Sequence, residues 1–143
     1  MKDQSNKKLI TIDSILNIDI MPDEIIVSVG DIELSGELKD TRSANKIKET
    51  LPIRSEFNTW GDEFYFSIGL QLELDNTARE KVEVGTIGYW PTGEALAIFF
   101  GPTPASTDEK PKAASKVNVV GKLKDAEKLK KAKEAGKIKI ELK

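Results

Sequence analysis

The chain contains neither cysteine nor histidine. Lacking cysteine, it has no disulfide, no thiolate nucleophile and no cysteine-ligated zinc or iron–sulfur site. Lacking histidine, it has no Ser-His-Asp relay, no histidine-ligated metal and no imidazole base. Chemistry is left to carboxylates, lysine, arginine, tyrosine and hydroxyls, which weighs against hydrolytic catalysis. We expect no cofactor and no metal. Long apolar runs are also missing: none approaches the roughly 18 residues of a membrane helix. Lys7 and Lys8 are followed by Asp13 and Asp19, which break up any secretory core. The expectation is a cytoplasmic protein without membrane contact.

Arginine is scarce, with Arg42, Arg54 and Arg79 the only ones among 22 basic residues. The net charge of −2 hides a split. The segment from Lys110 to Lys143 carries twelve lysines and four acids, and the preceding part is strongly acidic. Such a basic tail suits nucleic acid or another polyanion. It has no aromatic residue for base stacking and no arginine for bidentate contacts, which speaks against nucleic acid. The favoured reading is a basic segment docked on its own acidic body.

What the chain does have is short alternating runs with clear punctuation. A length of 143 residues fits one domain over 1–143 that buries a core without staples. Within it, 1–22 reads as an N-terminal extension and 124–143 as a basic helix and terminal strand. Alternation from Ile10 to Ile20 favours a strand, although Ile12, Ile15 and Leu16 also fit a helical face. Ile25–Val29 and the alternating run from Ile32 to Leu38 flank a Gly30-Asp31 hairpin turn. Asp40 or Thr41 is placed to cap a helix carrying Ala44, Ile47 and Leu51 on one stripe, stopped by Pro52. Phe64, Phe66 and Ile68 share a strand face, and Leu70, Leu72 and Leu74 continue the alternation. Thr86–Trp90, Ala95–Phe100, Val117–Leu123 and Ile138–Leu142 read as strands, Ala95–Phe100 as one buried on both faces. Residues 105–115 read as a loop. Asp125 is expected to cap a second helix, with Gly136 as its stop. Many strands in hairpin order must close or sandwich to bury their faces.

Five stretches carry a family resemblance: Trp60-Gly61-Asp62-Glu63, Val82-Glu83-Val84-Gly85, Tyr89-Trp90-Pro91-Thr92-Gly93, Ile98 to Pro104, and Ala114 to Gly121. Over them the chain resembles the small bacterial and archaeal cyclophilin-like proteins. The resemblance implies a mainly β fold, a closed cyclophilin-like barrel of about eight strands with two short capping helices. The likeness to the cyclophilins that are peptidyl-prolyl isomerases is weaker. Their site pairs an arginine, bonded to the substrate backbone, with an apolar proline pocket that has a histidine and a tryptophan on its rim. Here Arg54 precedes Phe57, Trp60 and Gly61-Asp62 at a different spacing, and there is no histidine. Fold alone does not transfer the activity.

Arg54 is therefore the candidate catalytic residue, because a donor near the prolyl nitrogen and a dry pocket weaken amide resonance without acid–base chemistry. Its plainer reading is a surface ion pair with Glu56 or with a neighbouring strand. Phe57, Trp60, Tyr65, Tyr89 and Trp90 are the candidate ligand-binding residues, against the alternative that they fill the core. Asp62 and Glu63 are adjacent carboxylates, but neighbours in a strand face opposite sides, and turn chemistry accounts for Asp62. Gly85-Thr86-Ile87-Gly88 lacks the third glycine of a phosphate-binding fingerprint. The expected function is a module binding a peptide or small-molecule ligand. The alternative is a prolyl isomerase using Arg54 and an aromatic pocket. A weaker third reading is a polyanion-binding protein working through the Lys-rich segment.

Overall fold

The computed structural model describes residues 23–143, so the strand expected between Ile10 and Ile20 lies outside the described residues. Ten strands follow in order: β1 (Asp23–Val29), β2 (Ile32–Leu38), β3 (Ile53–Glu56), β4 (Asn58–Thr59), β5 (Glu63–Ser67), β6 (Arg79–Lys81), β7 (Thr86–Trp90), β8 (Ala95–Phe99), β9 (Lys112–Leu123) and β10 (Lys137–Leu142). They form one antiparallel sheet in the order β3-β10-β1-β2-β9-β7-β8-β5-β4, with β6 paired to β9 off that path.

The fold is mainly β and antiparallel as expected, and its hydrogen bonding does not close the sheet into the expected barrel. No hydrogen-bonded ladder joins the two ends of the sheet. Its edges, β3 and β4, are instead one stretch of chain interrupted at Phe57. Before Phe57 this stretch pairs with β10, and after it with β5. Phe57 N–H donates to Gly136 O at 3.0 Å, so the switch of partner happens within a single residue.

The first hairpin forms where β-branched Ile25, Ile26, Val27 and Val29 meet a Gly30-Asp31 turn, with Gly30 at a φ of 59° that favours glycine. Helix α1 (Arg42–Lys48) starts at Thr41, whose Oγ1 accepts from Ala44 N–H at 3.1 Å. Ala44 and Ile47 are buried beneath it. The second helix is a 3-10 helix, Ala126–Lys131, rather than an α-helix. Asp125 takes a left-handed φ of 57° and makes no side-chain cap. Its carbonyl accepts from Lys128, which tightens the turn at once.

Leu70 to Leu74 alternates like a strand yet pairs with none. Its backbone is held by side chains: Tyr89 O–H donates to Leu70 O, Leu72 N–H donates to Tyr89 Oη at 3.0 Å, and Asn118 Nδ2 donates to Glu73 O at 2.9 Å. Asn118 is fully buried, and its Oδ1 accepts from Asp75 N–H at 2.8 Å. Leu70 and Leu72 pack on the core while Leu74 is exposed. At the other end, the expected loop over 105–115 is shorter, because β9 already begins at Lys112.

Candidate functional site

Alternation along the strands divides the apolar side chains between two clusters. Phe64 and Phe66 of β5, Leu96 and Ile98 of β8, Phe100 beyond it, and Ile87 and Tyr89 of β7 point into the main core. Ala97 and Phe99 point to the opposite face, where they meet Val82, Ala113 and Val117. That second cluster exists because β9 is long and irregular in register. Its first half pairs with β6, and its second half with β7 and β2. Gly88 allows the approach: a Cβ there would lie 2.7 Å from Val117 Cγ2 and 2.9 Å from Val117 Cβ.

On this outer face lies a pocket of about 200 Å³ lined by Trp60, Glu63, Tyr65, Trp90, Ala113, Ala114 and Val117. Tyr65 and Trp90 meet edge to face, with ring centroids 6.1 Å apart and an interplanar angle of 80°. Trp90 Nε1–H donates to Ser115 Oγ at 2.7 Å, which fixes the indole. Trp60 is held by the turn into β5, where its N–H donates to Glu63 O at 2.9 Å. The small side chains of Ala113 and Ala114 leave the space open.

Glu63 is the unusual member. It is 6% exposed, and its Oε1 is a buried oxygen without a hydrogen-bond partner among the described residues. Burial alone pushes its carboxyl up to about 8, since charging it there means removing a carboxylate from water. The neighbouring Asp62 points the other way and pairs with Lys133 at 2.7 Å and Lys130 at 3.7 Å. The two carboxylates do not converge.

The expected site residues are only partly brought together. Trp60, Tyr65 and Trp90 share the pocket. Phe57 packs on the main core, stacked on Phe64 with centroids 4.0 Å apart. Tyr89 is fully buried, its hydroxyl spent on Leu70 and Leu72. Arg54 is exposed on β3, opposite Lys139 in register, in a shallow groove with Ser28, Ser55, Glu56, Lys137 and Ile138 and no aromatic residue. Glu63 carries the weight that sequence reasoning withheld. Its signal was available in part: if Phe64 and Phe66 face inward, Glu63 and Tyr65 face outward. An outward glutamate normally meets water, but this one shares a pocket wall with Trp60, Trp90 and the β9 residues Ala113, Ala114 and Val117.

Part of the remaining charged surface is self-paired. Lys110 pairs with Glu83, Lys122 with Glu37 and Lys143 with Glu24, each joining the Lys-rich segment to the acidic body. A larger hollow of about 290 Å³ is lined by the last two of these pairs and other charges of both signs. Among the described residues, no three acidic side chains gather as a metal site, and no helix is long and apolar enough to cross a membrane.

With the antiparallel sheet and its outer pocket in view, the family follows. The cyclophilin-like family model matches residues 23–141, and the chain belongs to that family. It is also similar to a hypothetical protein from Archaeoglobus fulgidus whose solution structure is known. The two are 32% identical with a TM-score of 0.69, over 84% of this chain and 94% of that one. No curated protein matches the chain.

Proposed function

We propose that this protein is a binding module whose site is the pocket between Trp60, Glu63, Tyr65 and Trp90, taking a small ligand or one side chain of a peptide. The observation that carries this reading is the unpartnered Glu63 oxygen, buried where aromatic rings converge. A buried polar atom without a partner costs about 1–3 kcal/mol, and a charged one more. An apolar residue would spare the fold that cost, so the carboxyl serves something other than stability. A strongly shifted group in an aromatic pocket is a candidate site on physical grounds. The volume of about 200 Å³ is below that of drug-sized sites and favours a small occupant.

A fragment screen by NMR tests this. Hits are expected to shift the indole N–H signals of Trp60 and Trp90, and Ala114→Phe, which fills the pocket from its exposed wall, is expected to abolish them. Hits that gather at another surface and ignore Ala114→Phe would refute the reading.

The prolyl isomerase alternative needs Arg54 beside the aromatic pocket, and the groove around Arg54 offers no apolar seat for proline. We therefore place it second. The expected outcome of a peptide isomerisation assay is no rate above background, with Arg54→Ala indistinguishable from the wild type. The ion pairs of Lys110, Lys122 and Lys143 support the reading that the basic segment is docked on the body rather than offered to a polyanion.

A further inference from the structure

We infer that the pocket takes an alkylated ammonium group, held between the rings of Trp60, Tyr65 and Trp90 and balanced by the Glu63 carboxylate. The inference rests on the reading of this pocket as a binding site and names the chemistry of its ligand.

Three features of the pocket converge on that class. First, indole and phenol faces attract a cation through the negative face of the ring, tryptophan most strongly, and this pocket has two tryptophans and a tyrosine. Second, Glu63 Oε1 is buried at the same place with no partner, and among the described residues no lysine or arginine forms an ion pair with it. The neighbouring lysines 130 and 133 are taken by Asp62 on the other side of the turn. The raised carboxyl is the state expected of such a group before a cation arrives, and a cation supplies the missing charge.

Third, the other walls select the kind of cation. A primary ammonium carries three N–H donors that each need an acceptor. Ala113, Ala114 and Val117 offer no side-chain acceptor. An ammonium whose hydrogens are replaced by methyl groups has no such need. Its apolar skin fits the alanine and valine walls while its charge meets the rings and the carboxylate. The size agrees, because about 200 Å³ admits such a headgroup.

The test compares choline with its neutral isostere 3,3-dimethyl-1-butanol on the full chain, at pH 9, above the value of about 8 to which burial raises the carboxyl in the free protein. The readouts are the fluorescence of the two tryptophans and the indole N–H signals. Choline is expected to bind at least about tenfold more tightly than the alcohol, as two or three ring contacts plus a carboxylate require. Glu63→Gln, an isosteric change checked for folding by its amide spectrum, is expected to erase most of that preference. Because the wild-type comparison needs no variant, a folding defect cannot hide the answer. If the alcohol binds as tightly as choline, the cation inference is overturned while the pocket remains a binding site. If neither ligand moves the indole signals, the ammonium inference again fails, and the fragment screen decides the pocket by itself. If choline is preferred equally by Glu63→Gln, the carboxylate has no part and the inference is overturned in its stated form.

Discussion

Strands β5 and β8 each have an inner and an outer face, and the two faces are built to different rules. Inside, Phe64, Phe66, Leu96, Ile98 and Phe100 fill the space, with Phe64 stacked on Phe57 at 4.0 Å and tilted against Phe100 at 4.7 Å. Outside, the alternate positions hold Glu63, Tyr65, Ala97 and Phe99, and they leave a pocket and an oxygen without a partner. Filling a space stabilises a fold, whereas leaving one open beside a buried carboxyl destabilises it. The same two strands therefore supply stability on one side and a site on the other, one residue apart.

Breaking the inner face should cost most. Phe64→Ala removes a fully buried ring and both its aromatic contacts, and should lose about 3–5 kcal/mol of stability in urea denaturation. A loss under about 1 kcal/mol would mean that the inner face is not the tightly packed one.

The outer face should respond in the opposite sense at Glu63. Its folded carboxyl is raised from 4.5 to about 8, so the folded state holds the proton more tightly than the unfolded state does. The contribution is fully present below about pH 4.5 and is lost as pH rises through about 8. Glu63→Gln cannot titrate. It should match the wild type near pH 4 and exceed it at pH 9, by about 2–3 kcal/mol once hydration through the pocket mouth relieves part of the full shift. Parallel stability profiles from pH 4 to pH 9 would show that the carboxyl is hydrated and would erase the contrast between the faces.

Smaller effects sharpen the boundary between the two. Gly88→Ala places a methyl within 2.7 Å of Val117 and should lift the first half of β9 from the outer face. We expect a loss of about 1–2 kcal/mol, with indole signals of Trp90 shifted more than those of the inner-face methyls. Arg54→Ala should change stability by no more than about 0.5 kcal/mol and leave ligand shifts at the tryptophans untouched. An effect of Arg54→Ala on those shifts would join its groove to the pocket and revive the isomerase reading.

Local features were largely legible. The Gly30-Asp31 hairpin, the Thr41 cap and the buried Ala95–Phe100 run all depend on neighbours within a few residues, and the pattern carries them, whereas the helix expected to run to Pro52 already ends at Lys48. The segment Leu70–Leu74 misled because period-two alternation records which side chains face inward, not what the backbone bonds to. Tyr89 and Asn118, far along the chain, take the places of strand partners there. The site was half legible. Trp60, Tyr65 and Trp90 share the pocket, whereas Phe57 and Tyr89 belong to the main core and Arg54, placed by its resemblance to the isomerase order, lies in another groove.

By itself, the sequence determined that cysteine and histidine chemistry is closed to this protein, that it is built from short antiparallel strands, and that Phe64 and Phe66 turn their backs on Glu63 and Tyr65. These follow from composition and from a side-chain period of two. Tertiary structure alone decided that β3 and β4 serve as the two edges of one sheet, and that β9 brings Ala113, Ala114 and Val117 to the pocket that holds Glu63. Burial of that carboxyl is a property of what packs over it, about fifty residues further along the chain, and no local pattern in Glu63 to Ser67 encodes it.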